Sequence, residues 1–279
     1  MAPLPDPPLR EHIERWGLAP DGAPFETHSS WLVFVTRGRE RAVLKVFKPD
    51  SDEAPSARYL ALHNGHGTAR VLESGDRAIL VERIVPGMML KTCPLAGRDD
   101  EATHIVCDTI EKLQSAKADP AAWPGHDEQK AEYARHVEHP PLTRSIVDRA
   151  RALFFELDAS QQAPVLLHGD LHHENILFDE ARGWLAIDPK GTRGELAFEL
   201  AAPLRNPLER PDIFASKTQM DRRVRIYCER LGLDRQRVLG WCFARNCIAA
   251  LWNARHRPQS AGGAAWAAAT LTALELLGG

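Results

Sequence analysis

Two short strings near the middle of the chain hold groups suited to phosphate and cation chemistry. His168-Gly169-Asp170-Leu171-His172-His173-Glu174-Asn175-Ile176-Leu177 is followed by Ala186-Ile187-Asp188-Pro189-Lys190-Gly191. Together they set a carboxylate, an amide five residues on, and a second carboxylate thirteen after that, each at the edge of a short apolar run. Asp and Asn also shape turns between strands, so any one of them alone would mean little. All three in this order match what phosphoryl transfer from a nucleotide requires: a base that aims a hydroxyl, and hard oxygen ligands that hold Mg²⁺ on the phosphates. The histidines do not make a zinc signature, because His173-Glu174 is followed by Asn-Ile-Leu, without the second histidine that the helical zinc motif places after two intervening residues.

The elements that must position these groups follow from the hydrophobic pattern. Residues 31–35 are an apolar run, Arg37-Gly38-Arg39-Glu40 is a turn, and Ala42-Val43-Leu44-Lys45-Val46-Phe47 is apolar again, a hairpin with one lysine inside its second strand. Pro49 and Asp50-Ser51-Asp52-Glu53 start a helix over 54–63, and strands follow around 69–73 and 78–84 before Pro86-Gly87 breaks the pattern. This predicts a sheet-rich first domain over 1–85 and a larger, mainly helical one over 86–279. Within the second, helices are expected over 102–116 and 128–157, the latter broken at Pro140-Pro141, and again from 221 onward. Short strands are expected at 165–167, 176–178 and 184–187.

Composition narrows the class. The 279 residues are 44% hydrophobic and 26% charged, enough apolar side chain for a packed core, and 19 Gly with 20 Pro exclude a collagen-like or low-complexity chain. The net charge of −3 disfavours a nucleic-acid binder. The start Met1-Ala2-Pro3-Leu4-Pro5 lacks the basic and apolar stretches of a secretory signal, no run suits a membrane span, and five scattered cysteines suggest reduced thiols. A cytoplasmic protein that binds neither nucleic acid nor membrane is expected, with a monomer as the default.

The His-Gly-Asp-x-x-x-x-Asn string followed by Ile-Asp resembles the kinase-like antibiotic phosphotransferases. Its continuation is narrower: Asp188-Pro189-Lys190-Gly191, Gly194-Glu195, Phe198-Glu199-Leu200-Ala201-Ala202 and Leu204-Arg205-Asn206-Pro207 resemble the aminoglycoside/hydroxyurea resistance kinases, in their streptomycin 6-kinase branch. The resemblance implies an α+β, two-lobed protein-kinase-like fold with a small β-rich N-lobe and a larger helical C-lobe. It also implies ATP and Mg²⁺ as cofactors, and a small-molecule hydroxyl acceptor. Carried over by position, Asp170 is the catalytic base, Asn175 and Asp188 are the Mg²⁺ ligands, Lys45 contacts the phosphates, and Glu53 is its helix partner. Ser29 and Ser30 stand in the phosphate-covering turn, and Glu82 to Ile84 offer backbone groups to the adenine.

The sequence departs from the protein-kinase pattern at three points, one being Pro189-Lys190 after Asp188 where protein kinases have Phe-Gly. Thr27-His28-Ser29-Ser30 replaces a glycine-rich loop, and Gly169 stands where many protein kinases carry Arg, so nothing would read a phosphorylated loop and constitutive activity toward a small molecule is expected. The acceptor remains open between a streptomycin-type aminoglycoside and a hydroxyurea-type or metabolic hydroxyl compound; outside enzymes the alternative is a nucleotide-binding pseudokinase. Residues 101–211 carry 12 basic against 19 acidic groups, whereas residues 212–279 carry 10 against 5. A cationic acceptor is therefore expected to be met by acidic groups of the middle region, Glu195 and Glu199 among them, with Trp252 and Asn253 lining its pocket.

Overall fold

The computed structural model describes residues 7–27, 29–49, 54–135 and 138–278. The chain forms two compact units, one running to Met88 and including Leu177–Lys190, the other made of Met89–Ile176 and Gly191–Gly279.

Strand alternation builds the first unit. Ser30–Arg37 and Glu40–Phe47 pair antiparallel with Val33 opposite Leu44 and Leu32 opposite Lys45, and Gly38 closes the turn at a φ of +63°, which glycine adopts at little cost. Ala78–Glu82 pairs with the second of these strands and Val71–Gly75 adds at the edge. Two short strands that the sequence pattern does not reveal, Ala19–Pro20 and Phe25–Glu26, pair with Ser30–Arg37.

The period of two sorts the side chains onto two faces. Val33, Val35, Leu44, Val46 and Leu80 pack with Leu9 and Ile13 of the helix Pro7–Arg15, while Phe47 and Ile79 pack with Leu60 of the helix Ala54–His63. Lys45, between Leu44 and Val46 and directly opposite Ile79, belongs to the second face. A slip of one residue would exchange the faces and drive its ammonium into the apolar core, so register and lysine placement are fixed by the same pattern.

The boundary expected at 85 is met again later in the chain. Ile176–Asp179 and Gly183–Ala186 form a hairpin beside Pro86–Met89, and Leu177, Leu185 and Ile187 join Ala69 and Ile84 in one apolar cluster. Backbone bonds from Ala69 to Ala186 and from Ala186 to Gly67 tie the hairpin to the first unit. This pairing joins residues more than a hundred positions apart, which local periodicity cannot show.

In the second unit the broken helix resolves into Asp127–Arg135 and Arg144–Ala159. The helix expected from 102 begins at Asp99, where Asp99, Asp100 and Glu101 favour a first turn through the helix dipole. The last region forms Lys217–Leu231, Arg235–His256 and Gly262–Gly278. Ser216 accepts from the amide of Gln219 and Asp234 from that of Arg237, capping the first two. Arg235–His256 is buried on most of its surface, with Trp241, Phe243, Ile248 and Leu251 in the core. Among the described residues no helix is long and apolar enough to cross a membrane.

Candidate active site

The first unit brings together Lys45 and Asp188. Lys45 is only 5% exposed, and a buried ammonium needs a counter-charge; its Nζ pairs with the Asp188 carboxylate. Asp188 follows the strand Gly183–Ala186 with a φ of +61°. A non-glycine residue in the left-handed region costs about 1–2 kcal/mol, and here that backbone carries a carboxylate that pairs with the lysine while its side chain stays 43% exposed. Glu53 lies outside the described residues.

The turn before the first long strand is held by hydroxyl and amide bonds. Thr27 Oγ1 donates to the Ser30 carbonyl and accepts from its amide, the Lys48 amide donates to the Ser29 carbonyl, and Lys48 Nζ donates to the Thr27 carbonyl. Ser30 is fully buried and Ser29 half-buried. Glu82 keeps its carboxylate for the protein: Arg70 donates to it from its amide and Nε, each at 2.8 Å, and Arg182 Nη2 lies 2.7 Å away. Ile84 packs in the cluster of Ala69 and Leu185.

The second unit holds Asp170 and Asn175 on the loop 168–175. Gly169 takes a φ of +86°, and the amide of Asp170 donates to His168 Nδ1 at 3.3 Å. Asn175 Nδ2 donates to the Asp170 carbonyl at 2.9 Å, which directs the amide nitrogen into the loop and leaves Oδ1 as the group suited to a hard cation. His173 is fully buried, and burial holds its imidazole well below the usual histidine range, neutral within the loop.

Three buried ionisable groups grip this loop from behind. Glu199, 2% exposed at the end of Leu196–Glu199, accepts from the amides of Gly169 and Leu171. Arg245, from the middle of Arg235–His256, donates to the carbonyls of Gly169 and Phe198, with its guanidinium 3.8 Å from the Phe198 ring centroid. Burial and the neighbouring Arg205 push Arg245 down to about 10. Arg205, from the single turn Pro203–Arg205, brings Nη2 to 3.7 Å from Asp170 Oδ1 and donates through Nη1 to Asn246.

The acidic residues expected at the acceptor have other uses. Glu199 is the clamp just described. Glu195, 4% exposed, receives Arg237 through Nε and Nη2 and also Trp241 Nε1. Each carboxylate is engaged within the protein, neutralising a cation or satisfying amides that would otherwise be buried unpaired. Asn253 is 2% exposed and packs on Gly262, where a Cβ would come within 2.9 Å of its Nδ2. Trp252 stacks on His256 with centroids 4.8 Å apart. Sequence reasoning passed over Arg245 and Asn246; two polar residues inside the apolar stretch Trp241-Cys242-Phe243-Ala244 and Cys247-Ile248 were the signal available.

The model of the aminoglycoside/hydroxyurea antibiotic resistance kinase family matches residues 15–256. The chain is 35% identical over 243 residues to a streptomycin 3''-kinase from Klebsiella pneumoniae, covering 86% of this chain and 90% of that one. It is 31% identical to a streptomycin 6-kinase from Streptomyces glaucescens, covering 88% and 81%. Among solved structures, a thermostable mutant of aminoglycoside phosphotransferase APH(4)-Ia, in ternary complex with ADP and hygromycin B, superposes with a TM-score of 0.64 at 15% identity over 95% of this chain and 97% of that one. That likeness establishes the α+β protein-kinase-like fold, with its β-sheet N-terminal region and mainly helical C-terminal region. Sequence and fold together place the chain in the aminoglycoside/hydroxyurea antibiotic resistance kinase family.

Proposed function

We propose that this chain transfers the γ-phosphoryl group of ATP to a hydroxyl of a streptomycin-type aminoglycoside. The observation that carries the reading is the loop 168–175, in which a carboxylate that is 30% exposed stands on a backbone gripped at Gly169 and Leu171 by buried charges. Such a group suits the aiming of a hydroxyl, which is most of what a protein contributes to this reaction. Asp170 accepts the hydroxyl proton as the acceptor oxygen bonds to the γ-phosphorus, the bond from that phosphorus to the bridging oxygen breaks, and ADP leaves. Lys45 steadies the α- and β-phosphates. Asn175 and Asp188 would hold Mg²⁺, which neutralises charge on the phosphate oxygens when bound.

Support for the acceptor comes from the streptomycin kinases to which the chain is 35% and 31% identical. Support for the nucleotide comes from the ADP in the complex of the fold neighbour. The pairing of Lys45 with Asp188 favours an enzyme over a pseudokinase, since phosphoryl transfer uses both groups. The test is ADP release with streptomycin, hydroxyurea and neutral sugars as acceptors. Streptomycin is expected to give the highest kcat/KM; turnover with none of the panel would oppose the reading.

A further inference from the structure

We propose that Arg205 is a positioning residue for the Asp170 carboxylate, an inference that rests on the reading of Asp170 as the group that receives the acceptor proton.

Two arginines are buried behind the loop 168–175, and a guanidinium in a protein interior is strongly disfavoured unless its charge is compensated. Arg245 uses its fork on the carbonyls of Gly169 and Phe198, and faces Glu199, whose carboxylate is taken up by the amides of Gly169 and Leu171. Arg205 has the other carboxylate: its Nη2 stands 3.7 Å from Asp170 Oδ1, with the arginine side chain 9% exposed and the aspartate 30%. The contact therefore runs from a buried cation to an accessible anion.

What makes Arg205 a fixed point is its own surroundings. Nη1 donates to Asn246 Oδ1 at 3.3 Å, the guanidinium lies 5.3 Å from the Trp266 ring centroid, and its single helical turn is followed by Asn206, whose Nδ2 donates to the Ala202 carbonyl. His172 Nε2 stands 3.9 Å from the other carboxylate oxygen of Asp170, and the anchored guanidinium adds a fixed charge that narrows the rotamers open to an accessible carboxylate. At 3.7 Å the pair is too long for a hydrogen bond; it biases the direction of the carboxylate by charge without donating a proton to the oxygen that must receive one. Removing the guanidinium should therefore lower the rate of the chemical step more than the binding of either substrate.

The experiment measures kcat and both KM values for the full chain carrying Arg205→Gln, Arg205→Lys, Arg205→Ala and Asn246→Ala, beside Asp170→Asn, with ATP and streptomycin. Arg205→Gln is expected to lower kcat about 100-fold with both KM values within about twofold, and Arg205→Lys to recover part of the loss. Added guanidinium ion, and not urea, is expected to raise the kcat of Arg205→Ala. Asn246→Ala keeps the charge and removes its anchor, so it should lower kcat by about threefold or more and carries the test if the Arg205 variants do not fold. An increase in the streptomycin KM at unchanged kcat would show that Arg205 contacts the acceptor and would overturn the proposal, as would an unchanged kcat in both Arg205→Lys and Asn246→Ala. An Asp170→Asn variant with wild-type kcat would instead remove the underlying reading, whatever the Arg205 variants do.

Discussion

Lys45 Nζ pairs with the Asp188 carboxylate, joining a buried residue in the middle of a strand to one whose backbone sits in the left-handed region. The lysine is on the sheet face away from the helix Pro7–Arg15, and the aspartate reaches it from the hairpin that the chain adds to the same unit ninety residues later. Lys45→Met keeps the bulk of the stem and removes the charge. It is expected to reduce kcat/KM for ATP by about 100-fold or more, measured by steady-state turnover, while far-ultraviolet circular dichroism stays that of the wild type.

Glu199 acts on the loop through its backbone. Glu199→Gln replaces with an NH2 group one of the two carboxylate oxygens that accept from the Gly169 amide, and takes the negative charge away from Arg245. Breaking a buried charge arrangement of this kind costs about 3 kcal/mol or more. Urea denaturation is expected to show that loss, together with a fall in kcat as Asp170 loses its platform.

Glu195→Gln separates a structural carboxylate from an acceptor-binding one. Because Glu195 is held by Arg237 and Trp241, its replacement is expected to lower the melting temperature and leave the streptomycin KM within about twofold. A large rise in that KM at unchanged stability would return Glu195 to the acceptor site.

Stability should fall in mild acid through His126. This ring is buried, stacks on Phe198 at 3.8 Å and bonds through Nδ1 to Asp158, and burial lowers its pKa from 6.5 to about 4. Between those values the unfolded chain takes up a proton that the folded chain refuses, so the contribution is complete above pH 6.5 and is lost as the pH drops toward 4. The loss amounts to about 3 kcal/mol at most. Urea titrations at pH 7 and pH 4.5 measure it, and His126→Gln is expected to flatten the difference.

What could be read from the chain, and what could not, divides along the range of the interactions. The hairpin around Gly38, the lysine in its second strand and the helix break at Pro140-Pro141 are local, set by alternation and by backbone chemistry, and the structure has each of them. The return of Leu177–Lys190 to the first unit depends on Leu185 meeting Ala69 and Ile84, an encounter no window of the sequence contains. The same holds for charge. A count of acidic residues in the middle region suggests a surface for a cation, yet Glu195 and Glu199 are among the most buried carboxylates present, because Arg237 and Arg245 come from a helix forty residues further on. Asp170, Asn175 and Asp188 stand out in the sequence because phosphoryl transfer would call for groups of their types at such spacing; Arg205 and Arg245, which hold the loop, follow no chemical spacing of that kind.

The most direct measurement is the mass of streptomycin after incubation with ATP, Mg²⁺ and the purified protein, compared with the same reaction using Asp170→Asn. The account predicts that the wild type adds one phosphoryl group to streptomycin and produces an equal amount of ADP, and that Asp170→Asn is slower by about a thousandfold or more. Unmodified streptomycin with the wild type, or equal phosphorylation by both proteins, would contradict it.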